Sequence, residues 1–178
     1  MSRGTHPLTL IWNTYTEGTE MSKTYTFNNS LSLSIPDSFR KLDEAERKKM
    51  NMLADGPGMC FSDPDRHIMI SIGWKELGLL PSLLVSARDA ADNAFKAVSQ
   101  AMQPYGFRSR ETFSEDIGGK SAFGFSYEYE AQDIDMHGET CAVKHNKVLY
   151  YLHIYIRREL KEEGQKVWKE ILATAKWE

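Results

Sequence analysis

The sequence predicts an α+β fold built on an antiparallel sheet of about six or seven strands, with helices packed against it. Three observations carry this expectation. From residue 107 to residue 157, apolar and polar residues alternate with period two through successive segments separated by short turns. Segments at 87 to 103 and 159 to 175 instead repeat their apolar residues at helical spacing. No helical crossover interrupts the strand-like segments, so they read as a meander rather than a parallel nucleotide-binding sheet.

Residues 1–20 differ from the rest. Met21 opens a natural domain start, Met-Ser-Lys-Thr-Tyr-Thr-Phe, and what precedes it reads as a polar extension, or as an extra edge strand through Leu8, Leu10 and Trp12. One α+β domain is expected over residues 21–178. Thr24 to Phe27 and Leu31 to Ile35 alternate around Asn28-Asn29-Ser30, a hairpin ended by Pro36. Asp43 to Leu53 places Asp43, Glu44 and Glu46 before Arg47, Lys48 and Lys49, the charge order that suits a helix dipole. Met59 to Ser62 and His67 to Lys75 are strands joined by the turn residues Asp63-Pro64-Asp65-Arg66, with Ile68, Ile70, Ile72 and Trp74 on one face. In the central helix, Ser86 and Asp89 form a capping-box variant, Ala91, Ala94, Phe95, Val98 and Met102 share a stripe, and Pro104 with Gly106 stops it. Four strands follow at 107–116, 121–131, 135–144 and 148–157, then a last helix carrying Leu160, Val167, Trp168, Ile171 and Leu172 on one side.

Composition sets the broad class. The chain has 178 residues, 41% hydrophobic and 26% charged, enough for a core and ordinary for a globular protein. A net charge of -3, with Lys and Arg scattered, argues against nucleic acid or an anionic membrane as partner. The apolar runs are too short for a membrane span, and Leu8 to Trp12 is too brief for a signal peptide, so a cytoplasmic location is expected. Cys60 and Cys141 both fall in strand segments and read as buried free thiols, with a disulfide open if the strands are neighbours.

Register gives a finer expectation. Phe123, Phe125, Tyr127 and Tyr129 alternate on the second meander strand, and Val148, Tyr150, Leu152, Ile154 and Ile156 on the fourth. Placing Cys141 and Val143 on the same face makes Phe125, Val143 and Tyr150 one row. The opposite face then presents Glu128, Thr140 and His153 as a polar row, with Tyr151, Tyr155 and Arg157 beside it. These six residues are the candidate binding positions, and Tyr151, Tyr155 and Arg157 have the residue types enriched in interface hot spots.

The order of elements resembles the PsbP-like superfamily, which includes the extrinsic photosystem protein, the Ran-binding Mog proteins and bacterial relatives. The residues that carry the resemblance are Leu31–Phe39 (LSLSIPDSF), the Gly118-Gly119-Lys120 hairpin with its tyrosine-rich strand, Asn146–Tyr155 (NKVLYYLHIY) and the closing helix through Trp177. The match covers roughly Lys23 to Trp177. It implies an antiparallel sheet with helices on both sides, and a bacterial member acting by binding: an adaptor or chaperone-like role through a protein partner. The family offers no catalytic residues to carry over, and Ran binding is not inherited.

The residues themselves reveal no chemistry. Gly119-Lys120-Ser121 ends like a phosphate loop, but Ser114 stands where that motif needs glycine, and a strand follows where it needs a helix. His6, His67, His137, His145 and His153 lack metal-binding spacing, and no serine sits in a Gly-x-Ser-x-Gly elbow. Cys141 lies four residues from His137 and from His145, about 13 Å along a strand and out of contact. The expectation is therefore a non-catalytic binding domain with a protein partner and no cofactor or metal. The alternatives are a small-molecule-binding domain using the aromatic sheet face, or an enzyme of unknown type.

Overall fold

In the computed structural model, residues 21–50 and 56–178 are described. The question of an extension or edge strand within 1–20 lies outside them. The first hairpin pairs β1 (Ser22–Phe27) with β2 (Leu31–Pro36), and Asn28 and Asn29 take the left-handed backbone that asparagine tolerates at a turn. This hairpin does not join the main sheet. It forms a separate three-stranded sheet with β10 (Lys176–Trp177), because the buried face of β2, Leu31, Leu33 and Ile35, packs across the core.

Among the described residues, the main sheet has seven strands, all antiparallel, in the order β3 (Arg40–Lys41), β4 (Gly58–Asp63), β5 (Ile68–Glu76), β9 (Val148–Arg157), β8 (Ile134–His145), β7 (Lys120–Ala131), β6 (Arg108–Ile117). The expected meander is present, with strand ends displaced by a residue or so. Helix α1 (Glu44–Lys49) carries a capping box of Asp43 and Glu46 and ends before the expected Leu53, which lies among the undescribed residues. Helix α2 (Leu79–Leu84) was not expected from the pattern. Helix α3 (Ala87–Met102) has the reciprocal Ser86–Asp89 cap, and α4 (Lys161–Ala173) closes the chain before β10.

The two faces of the main sheet have separate cores. One packs against α4 and the small sheet: Ile68, Ile70, Ile72, Leu152, Ile154 and Ile156 meet Val167, Trp168, Ile171 and Leu172. The other packs against α3, whose Ala94, Phe95, Val98 and Met102 cover Phe125, Tyr127 and Tyr129. Cys60 and Cys141 are free, buried thiols. They lie on opposite faces and on strands separated by β5 and β9, so no disulfide joins them.

The expected row of Phe125, Val143 and Tyr150 is corrected. Val143 and Tyr150 do pair, but with Ala122, while Phe125 lies opposite Thr140. The reason is the turn between β7 and β8. Only Gln132 and Asp133 form it, both with positive φ, a two-residue type I′ loop where three residues were expected. The three-residue register difference is odd, so it exchanges the faces of β7.

Candidate functional site

On the α3 side of the sheet, a polar row crosses four strands: Cys60 on β4, Ser71 on β5, His153 on β9 and Thr140 on β8, ending at Phe125 on β7. Thr140 Oγ1 and His153 Nδ1 are 2.8 Å apart, and the His153 ring stacks on Tyr155 at 6.3 Å. Burial lowers the His153 pKa to about 4, so the ring is neutral at pH 7. Burial also raises the Tyr155 hydroxyl to about 12. Tyr127 fits over Gly138, where a Cβ would stand 2.4 Å from its ring. Ser71 Oγ and Tyr127 Oη are buried beside Tyr155 without completing a well-formed hydrogen bond.

Thus Thr140 and His153 come together as expected, with Tyr151, Tyr155 and Arg157 on the same side of β9. Glu128 does not join them. It lies opposite His137 on the α4 side, where it pairs with Arg110 and stands 3.8 Å from Arg158. The same face exchange that moved Phe125 moves Glu128 away. The arginines hold its carboxyl below the ordinary range, the hydrogen bond from Arg110 acting most. Tyr151 and Tyr155 are half-buried, and Arg157 reaches Glu159 at 3.8 Å, so the expected hot-spot trio is only partly presented to solvent. Phe125, Tyr127 and Tyr129 of β7 are core side chains under α3 rather than an open ligand-binding face, while Phe123 is half-buried.

The arrangement offers little to a reaction. The nitrogen of His153 that faces Thr140 meets a hydroxyl with no second acid or base behind it. Burial raises both thiols, Cys60 to about 11, which disfavours the thiolate a nucleophile needs. On the α4 side, His137 Nε2 and Glu139 Oε1 are 3.0 Å apart, and Gln165 also binds Glu139, a pairing enclosed between strand and helix. Among the described residues, no cluster of His, Cys, Asp and Glu is arranged to hold a metal. No described helix is long and apolar enough to cross a membrane.

Among the described residues, the most exposed apolar feature is α2. Leu79, Leu80, Leu83 and Leu84 are 71% to 81% exposed. The helix is nevertheless fixed in place: Leu77 N donates to Lys147 O at 2.7 Å, and Lys144 Nζ donates to the carbonyls of Ser82 and Val85, the latter at 2.8 Å. The run Leu77 to Val85 is visible in the sequence as nothing more than an apolar stretch with Pro81 inside, and its fate depends on tertiary context. Directly after α2, a cleft of about 500 Å³ opens between α3 and the edge strand β6, lined by Phe95, Phe113, Phe123 and Phe125.

No protein-family model and no curated protein matches the sequence. Solved structures do match its shape. Cyanobacterial PsbP (CyanoP) from Synechocystis sp. PCC 6803 is 14% identical, with a TM-score of 0.67 over 94% of this chain and 99% of that one. LpqN of Mycobacterium tuberculosis, involved in cell envelope biogenesis, is 14% identical, with a TM-score of 0.54 over 83% of this chain and 82% of that one. A Bacteroides thetaiotaomicron protein is 12% identical, with a TM-score of 0.53 over 83% of this chain but only 45% of that one. At these identities the likeness concerns the fold, and the fold of this chain is PsbP-like.

Proposed function

We propose that this protein is a non-catalytic binding domain that acts through a protein partner, and that α2 is its principal contact. The observation that carries the reading is the set of four exposed leucines on a helix held rigidly at both ends. A contiguous, exposed apolar patch on a soluble domain marks an interaction site more often than chance exposure does. Burying a leucine side chain contributes about 1.5–3 kcal/mol, so four together supply a useful fraction of a stable interface. Because the helix is pre-positioned, little ordering entropy offsets that gain. The polar row at His153 then serves to specify the packing of the sheet beneath.

The test is a comparison of tagged wild type and Leu79→Ser/Leu83→Ser as baits in the native cell, with mass spectrometry. A specific partner recovered by wild type and lost from the double variant is the expected result. Identical recovery by both baits, or substrate turnover abolished by His153→Ala with the fold intact, would overturn the reading.

A further inference from the structure

The main sheet has two edges, and they differ. At one end β3 is two residues long and offers little backbone to a stranger. At the other end β6 runs for ten residues, Arg108–Ile117, and among the described residues its outer edge has no partner strand. Long edges are normally guarded by charged side chains and bulges. Of the charged residues on β6, Arg108, Arg110 and Glu115 are directed to the α4 side, while Glu111 stands in the strand's irregularity and Asp116 near its end, leaving Thr112–Ser114 without a charge. Arg108 lies 3.7 Å from Asp135, Arg110 pairs with Glu128, and Glu115 faces Glu139 and Lys169. The one irregularity lies between Ser109 and Thr112, near the start of the strand. Toward α3, the strand presents Ser109, Thr112 and Ser114, all small and exposed, with the exposed Asp116 beyond them outside the cleft lining.

These small residues form one wall of the cleft and α3 forms the other. Phe123 and Phe125 make its floor, Phe95 meets Phe125 edge-on at 5.1 Å, and Arg88 lies over Phe123 at 4.5 Å. Its volume of about 500 Å³ falls within the range that encloses several side chains. Arg88 and Asp92, one helical turn apart, place one charge of each sign at the rim. The cleft therefore selects by apolar shape rather than by net charge. A free row of backbone donors and acceptors beside an apolar trough has one natural complement: an extended chain that pairs its backbone with the edge and drops alternate side chains into the trough.

We propose that the α3–β6 cleft binds an extended segment of a protein partner by strand addition to β6, with aromatic or aliphatic side chains at every second position seated over Thr112 and Ser114 against Phe123. The proposal rests on the partner being a protein and adds the form in which it is recognised. Helix α2 ends at Leu84, four residues before Arg88 at the cleft's rim, so a segment in the cleft and a body against α2 can belong to one partner.

A displayed library of random dodecapeptides, selected on the full chain, tests this. Enriched sequences should alternate large apolar residues, and a fluorescein-labelled selected peptide should bind with weak dependence on salt. Filling the cleft with Thr112→Trp/Ser114→Trp should weaken its binding at least about tenfold, and Ser114→Arg alone should weaken it as well, in proteins whose melting curves match wild type. Leu79→Ser/Leu83→Ser should leave peptide affinity unchanged, which separates this site from the α2 contact. Bound peptide should also slow amide exchange across residues 112–116. Selection without alternation, or affinity that survives both cleft substitutions, would overturn the proposal while leaving the α2 reading to its own test.

Discussion

The two faces of the seven-stranded sheet use apolar residues in opposite ways. Beneath α4 and the small sheet, isoleucines and leucines from β5 and β9 are sealed, with Ile70, Ile72, Leu152, Ile154 and Ile156 fully buried. On the other face, aromatic rings under α3 adjoin a polar row of Ser71, His153 and Thr140, and four leucines of α2 stand in solvent. The α4 side is built to hold the fold together. The α3 side encloses its rings and most of its polar row and leaves the α2 leucines in solvent.

The largest expected effect lies in the sealed face. Trp168, 3% exposed on α4, packs within the cluster of β2, β5 and β9 side chains. Trp168→Ala should lower stability by about 3 kcal/mol or more, since the indole leaves a cavity the rigid sheet cannot close. An unchanged denaturant midpoint would remove the contrast between the faces.

The polar row should make the second face pH-sensitive. Burial lowers the His153 pKa to about 4 in the folded protein, against about 6.5 in the unfolded chain. Between those values the unfolded state binds a proton that the folded state refuses. The contribution of His153 is therefore fully present above about pH 6.5 and is lost as pH falls toward 4. The stability difference between wild type and His153→Asn should shift against wild type by about 2 kcal/mol from pH 7.5 to pH 5.0. Equal shifts in both proteins, measured by urea unfolding, would show that the ring titrates freely.

Much of this contrast was legible in the sequence, and the failures have physical causes. The period-two segments of β6 to β9, the Ser86–Asp89 cap and the Trp168 stripe appear where local pattern places them, because each depends on neighbours within a few residues. The Thr140–His153 pair also emerged, since the β8–β9 turn is tight. Glu128 was misplaced because the two-residue Gln132-Asp133 loop sets Ala131 opposite Ile134, three residues from the expected register, and an odd slip turns a strand to its other face. Helix α2 was missed because apolar runs with a proline inside carry no clean period. Whether such leucines go in or out is settled by what lies above them, which no local pattern encodes.

The anchoring of α2 yields a smaller effect. Lys144 comes from β8 and caps the last carbonyls of the helix, replacing a C-terminal glycine cap. Lys144→Ala should cost about 1.5 kcal/mol of global stability, the lower end of the range for a hydrogen bond to a charged group. Its sharper signature is local: amide protection over residues 79–85 should fall by more than the global change accounts for, as hydrogen exchange would register. Protection retained in the variant would mean that the helix holds itself in place without Lys144.

The smallest expected effect on stability is the most informative about function. Leu79→Ser/Leu83→Ser removes two large apolar side chains, a change that in the sealed face would cost several kcal/mol. Here both leucines are more than 70% exposed, so the transfer and cavity terms nearly vanish. The change in unfolding free energy should stay within about 0.5 kcal/mol, the ordinary range for surface positions. Solubility should rise, because the variant no longer shows a contiguous apolar patch. Partner capture should be lost in the same protein, giving a variant that is as stable as wild type and fails to bind. If instead the double variant is destabilised by 2 kcal/mol or more, the leucines are packing against the body of the domain. The two faces would then differ only in composition, and α2 would be part of the core.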